Sequence, residues 1–258
     1  MVAPITPYGV GPVPVSLERA PQTGRVTAPA SDPGQRAVAA RIPGAAGLGL
    51  VVRPSLPLVP GTQLLDPSPL IEARFAGRVD RRVAATVWWY SVSAVLVTPA
   101  LAGLVTGIPL SARLADTALA FRPDGLPVAA VSSAPGNDLA VELRGTLGAV
   151  VAAVAVAGGM RERPLWAIAG DSIANQLLAL GRALVDVPGV TAHAAPLAAA
   201  IGAPLPVPRY VDVAGARFTR RASCCLVVEL PGGALCTSCP RRPPAERQAL
   251  LEQAARWF

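Results

Sequence analysis

Apolar and polar positions divide this chain into three stretches of different character. Over residues 1–69 the apolar residues keep neither helical nor strand spacing, and 13 of the 28 prolines fall there. Proline fixes φ and lacks an N–H, so helices of any length are not expected; coil, short strands or an arm packed over the rest are. From residue 70 to 202 the pattern turns helical. Leu70–Arg82 carries apolar residues at helical spacing and leads into residues 83–112, which hold no charge. That long helix should break near Gly107-Ile108-Pro109. Thr117–Phe121 and Pro127–Val131 flank Arg122-Pro123-Asp124-Gly125 and predict a β-hairpin. Asn137 or Asp138 can cap a helix running toward Gly158-Gly159, and Pro164 opens another through Leu184, broken by Pro188-Gly189. A short helix is expected over Ala194–Ile201.

Ala203-Pro204-Leu205-Pro206-Val207-Pro208 alternates proline over three steps and reads as a stiff extended linker. It predicts the boundaries 1–69 for a Pro/Gly-rich segment, 70–202 for a helical domain and 203–258 for a small C-terminal module. The module should contain two short strands, four cysteines and a closing helix from Pro243 to Trp257. The fold class expected is α+β, mostly helical: a helical main domain with a β-hairpin, plus a C-terminal hairpin-and-helix module.

The uncharged stretch raises the question of a membrane. About 20 apolar residues span a bilayer, and Arg78, Arg81 and Arg82 would suit an inside flank. Pro99, Gly103, Gly107, Pro109 and the hydroxyls of Ser91, Ser93, Thr98 and Thr106 favour a helix buried in protein instead. Gly145–Met160 is too short to span and reads as a second buried helix. The chain starts Met1-Val2-Ala3-Pro4-Ile5-Thr6-Pro7, without the basic start and continuous apolar run of a secretory signal. A cytoplasmic protein is expected, with peripheral attachment to the inner face of a membrane left open.

Composition narrows the classes. An apolar content of 52% in 258 residues excludes a wholly disordered chain. The net charge is +7, and every one of the 23 basic residues is an arginine. Eight of them lie in residues 209–258 against Asp212, Glu229, Glu246 and Glu252, a local excess of +4. Elsewhere they are thinly spread, and aromatic residues are only 4% of the chain, so nucleic-acid readout by stacking has no basis. With a single histidine, His193, hydrolase triads and zinc-hydrolase sites lack material.

The chemistry gathers in Cys224-Cys225 and Cys236-Thr237-Ser238-Cys239-Pro240, a C-C-x10-C-x2-C pattern. Leu226–Leu230 is β-branched and apolar, and Pro231-Gly232 suits the centre of a type II turn. A hairpin folded there would set 225 opposite 238 and bring four thiols within a few ångströms. Structural zinc usually takes two C-x(2–4)-C pairs; adjacent cysteines diverge in extended backbone and chelate one ion poorly. A [2Fe–2S] rhomb offers two irons, each needing two thiolates. Spacing alone leaves an iron–sulfur cluster, zinc and plain thiols all open.

The stretch Arg220-Arg221-Ala222-Ser223-Cys224-Cys225-Leu226 through Pro231-Gly232-Gly233 to Cys236–Pro240 resembles the signature of the siderophore-iron reductase (FhuF-like) family. The resemblance covers about 30 residues. It implies a [2Fe–2S] cluster with Cys224, Cys225, Cys236 and Cys239 as ligands. It also implies one-electron reduction of a ferric siderophore, with release of Fe(II). Hard oxygen chelators prefer Fe(III), so reduction opens the complex. Cations near the cluster favour its reduced form, and Arg220 and Arg221 are the residues expected to meet an anionic chelate or donor.

Other features carry less. Gly44-Ala45-Ala46-Gly47-Leu48-Gly49 is not a dinucleotide fingerprint, so an external donor of ferredoxin or flavodoxin type is expected. Asp171 after Gly170 reads as a helix cap, and Trp88, Trp89 and Tyr90 as helical core. Two rivals stand beside the reductase: an iron–sulfur sensor or electron carrier, and a zinc-stapled interaction module.

Overall fold

The order of elements along the chain wraps short strands and helices around one long apolar helix. The computed structural model describes residues 33–257; the arm expected from the first prolines falls partly on residues 1–32, which lie outside them. The described chain starts with helix α1 (Pro33–Arg41), strand β1 (Leu58–Pro60) and helix α2 (Ser68–Phe75). Helix α1 corrects the expectation that the proline-dense stretch excludes helices, whereas α2 lies almost wholly in the stretch from Leu70 where a helix was expected. Pro33 stands first in α1 and Pro69 second in α2, where the missing N–H has no intrahelical partner to lose.

Helix α3 (Arg81–Thr106) takes up the uncharged stretch. Asp80 caps it by accepting from the Val83 N–H at 3.1 Å, and Gly107, at φ +70°, ends it in the left-handed region. It is separate from α2, because Ala76 and Gly77 adopt positive φ and break the helical run expected over Leu70–Arg82. Strands β2 (Thr117–Phe121) and β3 (Pro127–Ser132) form the predicted hairpin, with Gly125 at φ +76° in its turn. The three-residue β1 joins β2 antiparallel at the sheet's other edge. It is too short to show alternation in sequence.

Helix α4 (Leu139–Gly158) is capped by Asp138, which accepts from the Val141 N–H at 3.0 Å. That cap gives it 20 residues, so the reading of Gly145–Met160 as too short to span gives way. By length and composition α3 and α4 are both long and apolar enough to cross a membrane. In this fold α3 lies packed against α4, α5 (Glu162–Ala183) and β3. Helix α6 (Val187–Ala192) carries Pro188-Gly189 inside its first turn, behind the Asp186 cap. Helix α7 (Ala194–Ile201) follows. The module after residue 203 holds the hairpin β4 (Tyr210–Val213) and β5 (Ala216–Thr219), and closes with α8 (Pro244–Ala255).

The main core is the α3–α5 contact. Trp88 and Trp89 are 2% and 0% exposed. The Trp89 Nε1–H donates to the Leu165 carbonyl at 2.9 Å, and Ser93 and Ser172 share a hydrogen bond of 2.7 Å between the two helices. Buried Gln35 ties α1 to the sheet by donating to the Leu50 and Ala130 carbonyls and accepting from the Ser132 N–H. The proline linker is not a free spacer: Leu205 is buried, and a Cβ at Gly170 of α5 would meet the Pro206 carbonyl at 3.1 Å. A second, small apolar cluster joins Val213, Ala216 and Phe218 of the hairpin to Leu251 of α8.

Trp89→Phe should leave the Leu165 carbonyl without its donor and a gap beside α5, at a cost of about 2–4 kcal/mol. Thermal unfolding followed by circular dichroism should show a fall of roughly 5–15 °C in Tm; an unchanged Tm would mean the contact is not structural.

Candidate metal centre

The cysteine segment is held from below by a side chain that its own sequence does not contain. Asp171, in the middle of α5 and 4% exposed, accepts from the Ala222 N–H at 2.8 Å and the Ser223 N–H at 3.2 Å. It also faces the Arg221 Nε at 3.5 Å. This corrects the reading of Asp171 as a helix cap: its carboxylate satisfies backbone donors of another segment. Burial lifts the Asp171 carboxyl above its ordinary range, opposed by the two N–H groups and the Arg221 cation. Burial also works against the Arg221 charge, yet Tyr90, Cys225 and Cys236 make the net shift upward. A guanidinium holds its proton in either case, so Arg221 stays cationic beside Asp171.

β5 delivers Arg221 to this point. The hairpin docks on α5 through the Tyr210 hydroxyl, which donates to the Ala174 carbonyl at 3.1 Å, and through Arg182, which donates to the Arg217 carbonyl at 2.9 Å. Arg221 itself is 7% exposed and lies over the Tyr90 ring, 4.8 Å from its centroid. Its Nη1 reaches the Cys236 Sγ at 3.3 Å and the Cys225 Sγ at 3.6 Å. Of the two arginines expected at an anionic substrate, Arg221 is thus turned inward onto the thiols, while Arg220 is exposed.

The segment between the cysteine pairs does not form the expected hairpin. Leu226 takes a left-handed φ of +60°, and Val227–Glu229 is a tight 3-10 turn. The Glu229 and Leu230 N–H groups donate to the Leu226 and Val227 carbonyls, which leaves no strand edge to pair. The turn at Pro231-Gly232 is present: Gly232 sits at φ +71° and the Gly233 N–H donates to the Leu230 carbonyl at 2.8 Å. The hairpin of the module is β4–β5, upstream of the cysteines. On the other side, Arg242 holds the Cys236–Cys239 turn by donating to the Cys236 carbonyl at 2.9 Å and the Leu235 carbonyl at 2.5 Å. Arg247 of α8 donates to the Cys239 carbonyl at 3.4 Å.

The four thiols therefore meet as two pairs and not as one set. The Cys224 and Cys239 sulfurs are 3.9 Å apart. Cys225 pairs with Cys236, and both contact Arg221. The hydrogen bond from Cys236 draws the Cys225 thiol well down, with help from Arg221 and against burial; the same bond pushes Cys236 up. Among the described residues no group of three or more His, Cys, Asp or Glu converges on one metal-binding point.

This donor arrangement discriminates between metals. Metal–sulfur bonds of about 2.3 Å at the tetrahedral angle leave two thiolates roughly 3.8 Å apart, the spacing of Cys224 and Cys239. A single zinc ion needs all four sulfurs about one point, which the two pairs do not provide. Two irons, each taking one pair, match it. The Nη2 of Arg221 is buried without a partner among the described residues, and a buried cationic donor beside the thiols suits an anionic cluster.

Residues 221–241 match the family model described as the FhuF 2Fe-2S C-terminal domain. No curated protein matches the chain. The cofactor of this segment is accordingly a [2Fe–2S] cluster.

The anchoring of the loop by Asp171 is open to direct measurement. Asp171→Asn removes one acceptor oxygen and leaves Arg221 buried without its counter-ion, at about 2–4 kcal/mol. We expect Tm to drop by roughly 5–15 °C and limited proteolysis to start cutting within residues 222–226; a variant as stable and as protease-resistant as the parent would show the loop is held otherwise.

Proposed function

We propose that this chain, whose residues 221–241 match the FhuF 2Fe-2S C-terminal domain, is a ferric-siderophore reductase in which Cys224, Cys225, Cys236 and Cys239 hold the cluster. The observation that carries the reading is the division of the thiols into two pairs under one buried arginine. When bound, the cluster supplies one electron at a time, which suffices to turn a tightly chelated Fe(III) into weakly held Fe(II). The electron must arrive from outside, from a ferredoxin- or flavodoxin-like donor. The reading puts the reaction in the cytoplasm.

What the chain's own residues do follows from the geometry. Arg221 keeps a permanent positive charge against the Cys225 and Cys236 sulfurs, and Asp171 keeps that guanidinium in place. Tyr90 covers its face and Arg242 and Arg247 hold the second cysteine turn, so neither arm has to move when charge changes. In each pair one cysteine is buried (Cys225, Cys239) and one half-buried (Cys224, Cys236). The half-buried sulfurs are the edge through which an electron enters and leaves.

Anaerobically purified protein should contain two irons and two acid-labile sulfides per chain, give a spin-half signal only on reduction, and turn over ferric siderophore many times. Zinc without sulfide would end the reading, and a cluster without repeated turnover would leave a sensor or carrier. Cys236→Ala should lose the iron and sulfide; retention of both would remove Cys236 from the ligand set. Arg221→Gln takes a buried cation away from a centre that gains negative charge on reduction. The reduced form loses more than the oxidised one, so the midpoint potential should fall, by a shift on the order of 100 mV. A redox titration monitored by electron paramagnetic resonance reads this directly, and an unchanged potential would deny Arg221 an electrostatic role.

A further inference from the structure

Most acids of the C-terminal module are already taken by arginines: Asp212 by Arg217, Glu229 by Arg241 and Glu246 by Arg242. Among the described residues, Arg209, Arg220 and Arg247 form no ion pair. All three line one cavity of about 220 Å³ between the β4–β5 hairpin and α8, which no Asp or Glu lines. Arg247 gives its Nη1 to the Cys239 and Arg242 carbonyls, which satisfies a donor and leaves the charge uncompensated. The Arg220 N–H donates to the Arg209 carbonyl at 2.8 Å, one step beyond the Tyr210–Thr219 pair, so these two arginines stand opposite each other at the open end of the hairpin. Like charges at opposed positions destabilise a strand pair, so folding does not account for this arrangement.

The lining also contains an unsatisfied hydroxyl. Thr219 is 5% exposed, and its Oγ1 has no hydrogen-bond partner among the described residues. Buried polar groups are nearly always satisfied, and a hydroxyl donates readily to a carboxylate oxygen. The space is smaller than the roughly 300–1,000 Å³ that encloses a drug-sized ligand, and suits a single carboxylate side chain. Its place suits electron transfer: Ser238 and Pro240 of the lining flank Cys239, and Ala222 of the lining lies two residues before Cys224. The cavity therefore lies beside the Cys224–Cys239 pair.

We propose that this arginine-lined cavity is the dock for an acidic protein electron carrier, with a carboxylate of the carrier seated in it and the electron entering the cluster at the Cys224–Cys239 pair. The proposal rests on the reductase reading and gives its donor step a place on the molecule. Weak electron-transfer encounters bury less than about 1,200 Å² and rely on charge to steer approach, so a small basic face with one socket meets their needs. Arginine forks match the paired oxygens of a carboxylate. The step balances as one electron: the carrier's reduced centre is oxidised, the cluster is reduced, and no atom is transferred. Cys236, half-buried in the other pair, is left for the outgoing electron.

Stopped-flow reduction of the oxidised holoprotein, with no chelate present, reads the donor step alone. The probe is flavodoxin hydroquinone, an acidic carrier whose oxidation to the blue semiquinone is visible. The double variant Arg209→Ala/Arg220→Ala changes two exposed residues. Its second-order rate constant with flavodoxin should be about tenfold lower or less at low salt, and the gap should close as salt is raised. The reduced methyl viologen cation needs no anion socket and should reduce variant and parent alike, with the spin-half signal of the cluster unchanged. No reduction of the parent by flavodoxin, equal flavodoxin rates in parent and variant, a gap indifferent to salt, or equal slowing with methyl viologen would each overturn the proposal. So would a variant that accepts electrons from flavodoxin normally but, once reduced, passes them to a ferric chelate more slowly, because the cavity would then serve the chelate. A reduced parent protein that passes electrons to no ferric siderophore would instead strike at the reductase reading, whatever the flavodoxin rates do.

Discussion

The carboxylate of Asp171 is the point on which the metal centre depends. It sits at the middle of the long buried helix α5, where a lone charge would be costly. Three groups from the cysteine segment offset that cost: the Ala222 and Ser223 N–H groups and the Arg221 guanidinium. The dependence runs both ways, because the loop's donors and its buried arginine are equally in need of an acceptor. One ionic contact thus fixes the start of the cysteine loop relative to the helical core. From that start Arg221 is aimed at two of the four sulfurs.

The rest of the site follows from how the chain leaves this anchor. Leu226 at positive φ and the tight turn after it fold the first cysteine pair back, while the Arg242 and Arg247 side chains curl the second. Adjacent cysteines in such a loop point to different partners, so Cys224 meets Cys239 and Cys225 meets Cys236. The sequence neighbours are therefore split between the two sulfur pairs. A C-C doublet suits a binuclear centre for that reason, and is awkward for a single ion.

The arginines of the module separate into distinct jobs once they are seen in place. Arg221 is a buried cation at the thiols, Arg242 and Arg247 hold backbone carbonyls, and Arg182 from α5 helps dock the hairpin. Arg217 pairs with Asp212 across β4 and β5 at 2.8 Å. Arg209 and Arg220 have no ion pair among the described residues and sit at the cavity's rim. A local charge excess read from composition is thus mostly architecture, with a remainder directed at one cavity.

Much of the helical frame was legible in the sequence because its signals are local. Asp138 caps a helix, Gly107 and Gly159 end helices, and the Pro-Asp-Gly turn makes the β2–β3 hairpin; the Asp80 and Asp186 caps were missed though equally local. Each acts within four or five residues of itself. The cysteine motif was equally local and pointed to its cofactor. The strand β1, the helix at Pro33–Arg41 and the curled loop in place of a hairpin were not legible. The backbone partners of β1 lie on a distant strand, the helix is tied to distant backbone through the buried Gln35 side chain, and the loop is held by turns that override β-propensity. The roles of Asp171, Tyr90 and Arg221 were hidden for the same reason. Asp171 and Arg221 are 50 residues apart in the chain, and only the packing of α3, α5 and the β4–β5 hairpin brings both charges and the ring to one buried point. Sequence by itself pointed to the cofactor through the resemblance of its cysteine signature and to most of the helical segments; the tertiary structure decided which sulfurs pair and what holds them, because burial and long-range pairing are properties of the folded chain alone.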